Sequence, residues 1–174
     1  MPKVFRMEEL NMKPRLSPVP EFAWHTTRGL SELAGAKQLL FEIRSLDPGK
    51  YSYPYHFHRS AEELFVILSG HAMLRTPAGL QEVKTGDTVF FECGADGAHQ
   101  LYNHTSEPCC YVDLRTTFGI DVAEYPDSGK INILPYEELY QAKDRADYYL
   151  GEDRTAEIWR QLLGDAKTEG QEQE

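Results

Sequence analysis

Gly49-Lys50-Tyr51-Ser52-Tyr53-Pro54-Tyr55-His56-Phe57-His58-Arg59-Ser60-Ala61-Glu62-Glu63-Leu64-Phe65-Val66-Ile67-Leu68-Ser69-Gly70 is the stretch that decides the reading of this chain. In an extended strand residues i and i+2 face the same side, so His56 and His58 present their imidazoles side by side. A turn over Arg59–Glu62 that re-enters a strand brings Glu63 to the same face and sends Glu62 to the opposite one. Leu64–Leu68 is a short β-rich run, closed by Ser69-Gly70. Farther along, His99 lies in Gly97-Ala98-His99-Gln100-Leu101-Tyr102-Asn103 and supplies another imidazole. Three imidazoles and one carboxylate form a mixed nitrogen–oxygen donor set, suited to one divalent ion such as Zn, Mn, Ni or Fe.

Strand signals continue on both sides. Leu39–Leu46 begins apolar and becomes alternating, and Asp47-Pro48-Gly49 is a turn. Ala72–Arg75, Thr76-Pro77-Ala78-Gly79 and Leu80–Val83 read as a hairpin. Thr88–Phe91, His99–His104 and Cys109–Leu114 follow, with turns between them, and Ile131–Leu134 is a final strand. Short strands at this regular spacing predict an all-β sandwich or barrel. The organisation expected is an N-terminal extended arm (1–36), rich in proline and holding one short edge strand, then a β-barrel (37–135). After these come a C-terminal segment (136–164) whose amphipathic helix over Thr155–Gly164 packs on the barrel, and a disordered tail (165–174).

The histidine segment resembles the first motif of the cupin superfamily, G-(x)5-H-x-H-(x)3-4-E-(x)6-G. Six residues separate Glu63 from Gly70, so Glu63 fits the ligand position rather than Glu62. Gly86, His99 and Asn103 match the second motif, G-(x)5-P-x-G-(x)2-H-(x)3-N. The chain departs from it at Gly94-Ala95-Asp96, where Pro-x-Gly is usual, and Gly86 to His99 is two residues longer than the pattern. The resemblance covers roughly residues 37–115, and it extends to small single-domain bacterial cupins, some of them named sugar-phosphate isomerases. It implies a double-stranded β-helix, a jelly-roll barrel, with one divalent metal near its mouth on His56, His58, Glu63 and His99. A homodimer is also expected, partly from this resemblance.

Composition narrows the partners. The chain has 174 residues, 41% of them hydrophobic and 26% charged, enough for one packed domain. Eighteen Lys and Arg against 28 Asp and Glu give a net charge of −10, which disfavours nucleic acid and anionic membranes as partners. No apolar run approaches the ~20 residues that span a bilayer. The N-terminus lacks a secretory signal pattern, and the three cysteines, Cys93, Cys109 and Cys110, form no disulfide framework, so a cytoplasmic location is expected.

Weaker candidates surround the ligand set. Tyr53, Tyr55 and Tyr102 combine a flat apolar body with a hydrogen-bonding tip, which suits an oxygen-rich substrate. Asn103 shares strand parity with His99 and either orients a ligand or holds a turn. Among the basic residues Arg44, Arg59, Arg75 and Lys50, surface charge is the default, and Arg75 or Arg59 is the choice for entering the barrel. Tyr125-Pro126-Asp127-Ser128-Gly129 is a strong turn signal, read as a structural link in preference to a lid.

The function expected is a metalloenzyme acting on a small oxygen-rich substrate such as a sugar phosphate, by isomerase-type enediolate chemistry. No general acid or base is identifiable from the sequence. Two alternatives share the site: a three-His, one-Glu dioxygenase, and a non-catalytic module that binds a sugar or another small molecule.

Overall fold

The structure, a computed structural model, describes residues 1–169. Met1–Ala142 form one compact unit, and the chain from Lys143 onward forms a second. The first unit carries β1 (Lys13–Arg15), β2 (Trp24–Thr26), a short helix α1 (Leu30–Ala34), β3 (Leu39–Leu46), β4 (Phe57–His58), β5 (Glu63–Ser69) and β6 (His71–Thr76). It continues with β7 (Gly79–Lys84), β8 (Thr88–Phe91), β9 (Gln100–Tyr102), β10 (Cys109–Thr116), β11 (Asp121–Tyr125), β12 (Lys130–Leu134) and β13 (Glu138–Gln141).

These strands form three sheets, ordered β1-β2-β3-β10-β5-β8, β13-β12-β11-β4 and β7-β6-β9. The ladders are antiparallel, and five of the ten neighbouring pairs join strands that are not consecutive in sequence, as a rolled double-stranded β-helix requires. Alternation sets the two faces. Glu63, Phe65 and Ile67 of β5 are buried, as are Cys109, Tyr111 and Asp113 of β10 and Arg44 and Leu46 of β3, with less buried residues between most of them. The apolar members of this inward set join Trp24, Leu74, Val83, Phe91 and Leu101 in one core. The polar members, Arg44, Glu63 and Asp113, line a cavity instead.

Two glycines are dictated by space. At Gly70, between β5 and β6, φ is +79° and an added Cβ would lie 2.4 Å from the Pro108 carbonyl oxygen. At Gly97 a Cβ would lie 1.9 Å from the Glu92 carbonyl oxygen. Gly97 ends a 3-10 turn over Ala95–Gly97, which overlaps Gly94-Ala95-Asp96, where Pro-x-Gly is usual, and leads into His99.

The structure corrects the strand plan in three places. The N-terminal arm holds two strands, β1 and β2, and Trp24 and Thr26 of β2 are buried against β3, so the aromatic residue anchors part of the arm in the sheet. The Gly119–Lys130 stretch is more than a connection: Asp121–Tyr125 is β11, which pairs with both β12 and β4. Its Tyr125–Gly129 portion is the tight end of the β11–β12 hairpin, closed by the Gly129 N–H donating to the Tyr125 carbonyl at 2.8 Å. A further strand, β13, adds to the edge of β12.

The second unit holds a helix, α2 (Thr155–Glu169). It continues past Gly164 through Asp165-Ala166-Lys167-Thr168-Glu169, a run without a proline or a second glycine to stop it, into the segment expected as a tail. Residues 170–174 of that expected tail lie outside the described residues. Ile158, Trp159, Leu162 and Leu163 of the helix are exposed. Among the described residues no helix is long and apolar enough to cross a membrane.

Candidate metal centre

Three segments bring the ligand-type side chains together. β4 ends in His58, an isolated antiparallel bridge pairs His56 with His99, and β5 begins at Glu63. The His56–His99 bridge is reciprocal: His99 N–H donates to the His56 carbonyl at 2.9 Å, and His56 N–H to the His99 carbonyl at 3.2 Å. His56, His58 and Glu63 each offer a ligand atom, and these atoms lie within 4.8 Å of one another. His99 stands outside that triple but approaches it, with Nε2 3.2 Å from Glu63 Oε2. All four residues are buried.

The hydrogen bonds fix which nitrogen of each ring carries a proton. His56 Nδ1 lies 2.9 Å from the Pro54 carbonyl, His99 Nδ1 lies 2.9 Å from the Gly97 carbonyl, and His58 Nδ1 lies 2.5 Å from Asp121 Oδ2. Each partner is an acceptor, so each Nδ1 is the donor, and each Nε2 is left as a lone pair. His58 Nε2 and His99 Nε2 then face the Glu63 carboxylate at 3.5 and 3.2 Å. Glu63 Oε2 and His99 Nε2 have no hydrogen-bond partner among the described residues, although both are buried. Lone pairs turned toward a carboxylate inside a protein are costly unless a cation lies among them. The donor set therefore fits a divalent first-row ion, which prefers imidazole nitrogen and carboxylate oxygen.

The charge states divide: on His58 burial works against charge, but Asp121 and Glu63 outweigh it and raise its pKa, whereas His56 goes the other way. Burial, reinforced by neighbouring His99, lowers the His56 pKa to about 3, so the ring stays neutral. Burial works against charge on Glu63 as well, yet the adjacent imidazoles outweigh it and hold the carboxyl well below its usual range. Asp121 shows the same balance: burial is outweighed by His58 and by the Ser60 N–H, which donates to Oδ1 at 2.9 Å, and its pKa falls to about 2. His99 is also clamped from the side, its ring stacked on Phe91 at 3.7 Å and edge-on to Phe65 at 5.3 Å.

The ligand atoms open into a cavity of about 410 Å³. Tyr53, Tyr125, Asn132, Arg115, Glu137 and Leu139 are among its walls. Tyr125 stacks on His56 at 5.8 Å, and Asn132 lines the same cavity. Arg44 is buried in the same wall, with Nε 2.6 Å from Asp113 Oδ2 and Nη1 donating to the Tyr53 hydroxyl at 2.7 Å. Burial works against charge on both partners: it pushes the Asp113 carboxyl up while Arg44 pulls it back, and the arginine stays charged. Arg115 Nη1 lies 3.9 Å from Asp121 Oδ2.

The weaker candidates separate. Tyr53 lines the cavity, whereas Tyr55 is buried beside it with the Arg75 guanidinium 3.9 Å above its ring. Tyr102 is stacked on Tyr51 at 4.6 Å, outside the cavity lining. Asn103 holds a turn: it is fully buried, Nδ2 donates to the Leu46 and Glu107 carbonyls, and Oδ1 accepts from the Thr105 backbone N–H and hydroxyl. Arg75 and Arg59 do not enter the barrel; they pair with Asp127 and Glu124 at 2.6 Å on the outside. The arginines that line the cavity are Arg15, Arg44 and Arg115. Asp121 and Glu137 were not singled out in the sequence, and Arg44 was weighed there only as a basic residue with surface charge as the default. The usable signals were the alternation of Asp121, Ala123 and Tyr125, and the parity that Arg44 shares with buried Leu46.

Residues 43–115 match the cupin domain family. A comparison with curated proteins finds no match. Among solved structures, the chain resembles a protein from Acidithiobacillus ferrooxidans named as a candidate sugar phosphate isomerase. That likeness has a TM-score of 0.72 and 24% identity, over 81% of this chain and 91% of that one. A sugar phosphate isomerase from the cupin superfamily of Silicibacter pomeroyi gives a TM-score of 0.70 at 19% identity, over 84% of this chain and 96% of that one. A predicted oxalate decarboxylase from Thermotoga maritima gives 0.57 at 20% identity, over 67% of this chain and 100% of that one. The barrel is thus a cupin fold, and at these identities the likeness speaks for the fold alone.

Proposed function

We propose that this cupin domain holds one divalent metal ion on His56, His58, Glu63 and His99, and that it is an enzyme acting on a small oxygen-rich substrate with neighbouring hydroxyl and carbonyl oxygens. The observation that carries the reading is the buried gathering of His56, His58 and Glu63, whose ligand atoms lie within 4.8 Å of one another, with Nε2 of His58 and of His99 turned toward the Glu63 carboxylate. Bound there, the ion supplies Lewis acidity that polarises the substrate oxygens. The names of the Acidithiobacillus and Silicibacter structures suggest a sugar phosphate as the substrate class and isomerisation as the reaction.

The protein's own groups supply the rest. Arg115, at the cavity wall beside Asp121, offers guanidinium donors to a phosphate or carboxylate on the substrate. Tyr125, stacked on His56 in the cavity wall, offers a hydroxyl to the substrate. Glu137, at the rim, is the carboxylate assigned to move the proton between neighbouring carbons. Its backbone sits at φ +57°, a left-handed conformation that disfavours a side chain. Its carboxylate accepts no hydrogen bond among the described residues, unlike Asp113, which is committed to Arg44.

The test has two stages. Elemental analysis of protein purified without a metal-affinity tag should find near-stoichiometric metal, and a His56→Ala, His99→Ala double variant should lose it. The loaded protein is then incubated with pentose and hexose phosphates in heavy water, and NMR follows exchange at the carbon next to the carbonyl. Exchange that Glu137→Gln lowers at least tenfold, with metal content unchanged, supports the reading. Absence of metal after reconstitution would overturn it.

A further inference from the structure

A second hollow of about 540 Å³ lies beside the metal cavity. Its walls come from Leu16–Val19 of the N-terminal arm, from Phe22 and Trp24, from Tyr53–Tyr55, and from the β11–β12 turn at Asp127–Lys130. Tyr53 and Arg15 line both spaces, so the two adjoin along a shared wall. Each has the volume of an ordinary ligand pocket. Their balance differs: the metal cavity mixes charged and polar groups with Leu40, Leu134 and Leu139, whereas the groove is mainly proline, aliphatic and aromatic, with Arg15, Lys130, Asp127 and a few neutral polar groups among them.

The groove is built rather than incidental, because two of its walls are anchored independently. Arg75 reaches Asp127 through both guanidinium nitrogens, at 2.6 and 2.8 Å, and stacks over Tyr55 at 3.9 Å. This clamp ties the hairpin turn to the Tyr53–Tyr55 segment. Trp24 is buried in the core cluster and packs edge-on to Tyr53 at 4.6 Å, which fixes the arm side. Tyr53 is the shared partition: its ring also lies 6.1 Å from His56, and its hydroxyl accepts from Arg44 on the cavity side. Pro54 lines the groove, and its carbonyl sets the His56 tautomer.

We infer that the groove holds the apolar, aromatic-sized tail of the same small molecule whose oxygen-bearing head lies in the metal cavity. This rests on the metal reading above and sharpens its substrate class: an oxygenated anion extended by a flat apolar group, larger than a bare sugar phosphate. Aromatic walls with flanking Arg and Lys cations suit the face and edge of such a group.

The experiment uses the full chain loaded with Mn(II), titrated calorimetrically with glycolate, 3-phenyllactate and 2-hydroxy-4-phenylbutyrate. All three offer adjacent hydroxyl and carboxylate oxygens, and only the tails differ. Burying the phenyl group should tighten binding about 10- to 100-fold over glycolate. Val19→Trp, at a half-exposed arm position, should erase that gain while leaving glycolate affinity and Mn(II) stoichiometry unchanged. Ser128→Trp, on the opposite wall, should do the same, so the proposal does not hang on one variant folding. Equal affinity for all three acids, no binding of any of them to the loaded protein, or a gain that survives both substitutions overturns it. A substitution that dissociates a dimer without touching the tail gain makes the groove a contact between copies, and also overturns it. Failure to bind Mn(II) at all is a different result, which removes the metal reading itself.

Discussion

Asp121→Asn removes one charge from behind His58 and leaves the first ring of ligands untouched. In the wild type the Asp121 carboxylate takes the His58 Nδ1–H at 2.5 Å on one oxygen and the Ser60 N–H at 2.9 Å on the other. An asparagine has one acceptor oxygen for these two donors, so one of them loses its partner, and the remaining bond is neutral. Charge-assisted bonds are roughly twice as strong as neutral ones. The pKa gives an independent measure: a carboxyl drawn from 3.8 to about 2 favours its charged folded form by about 2 kcal/mol. Losing the acidic group behind a ligating histidine costs about 10- to 100-fold in metal affinity. That is about 1.4–2.7 kcal/mol, the same size.

Two assays separate the effects. Competition with a chromophoric chelator at pH 7 should show Zn(II) affinity reduced at least tenfold, with stoichiometry unchanged. Urea unfolding of the metal-free proteins should show the variant less stable at pH 7. The Asp121 contribution is present above the unfolded carboxyl's pKa and is lost as the pH falls through the folded value near 2, so the gap should narrow below pH 4. Metal affinity within a factor of two of wild type in a folded variant would refute the orienting role. A stability gap that does not narrow in acid would refute the electrostatic account.

Arg44→Met strands Asp113 as a buried carboxylate and should cost about 3–5 kcal/mol in urea unfolding, whereas adding Asp113→Leu should recover most of it; a single variant within 1 kcal/mol of wild type would be the contrary result. Gly97→Ala drives a methyl against the Glu92 carbonyl and moves the turn that sets the His99 tautomer. It should lower both stability, by about 1–3 kcal/mol, and metal retention, read by unfolding and elemental analysis. Cys109 and Cys110 are buried, and burial pushes the Cys109 thiol up to about 11 and raises Cys110 as well. At pH 8 iodoacetamide should label Cys93 alone in the native protein and all three thiols in urea, as mass spectrometry will show.

The gathering of His56, His58 and Glu63 was legible because strand geometry converts spacing directly into facing: His56 and His58 share a side, and Glu63 opens the next strand. Its side-chain supports were not, because they depend on pairings that spacing does not encode, whereas the Pro54 and Gly97 carbonyls lie only two residues before the rings they hold. Asp121 reaches His58 across 63 residues, through β11 against a two-residue β4, and the Gly119–Lys130 region displayed its turn residues more loudly than its alternation. Arg44 and Arg75 look equivalent in the sequence. They part because Arg44 shares parity with buried Leu46 while Arg75 falls between the inward positions Ala72 and Leu74 and the end of its strand. The partner that makes an inward arginine tolerable, Asp113, sits on β10, and only the β3–β10 register reveals it.

These supports have a common logic. Every imidazole of the site is held by an acceptor that belongs to a different local structure: the Pro54 carbonyl, Asp121 of β11, and the Gly97 carbonyl at the end of a tight turn. A ring fixed in this way cannot turn its protonated nitrogen inward, so the lone pairs converge before any ion arrives, and the cost of that convergence is met by folding. Two of the three acceptors are backbone carbonyls, which side-chain substitution does not remove. Asp121 is the one whose chemistry a single replacement can change, and for that reason it is the most informative position at which to perturb the centre.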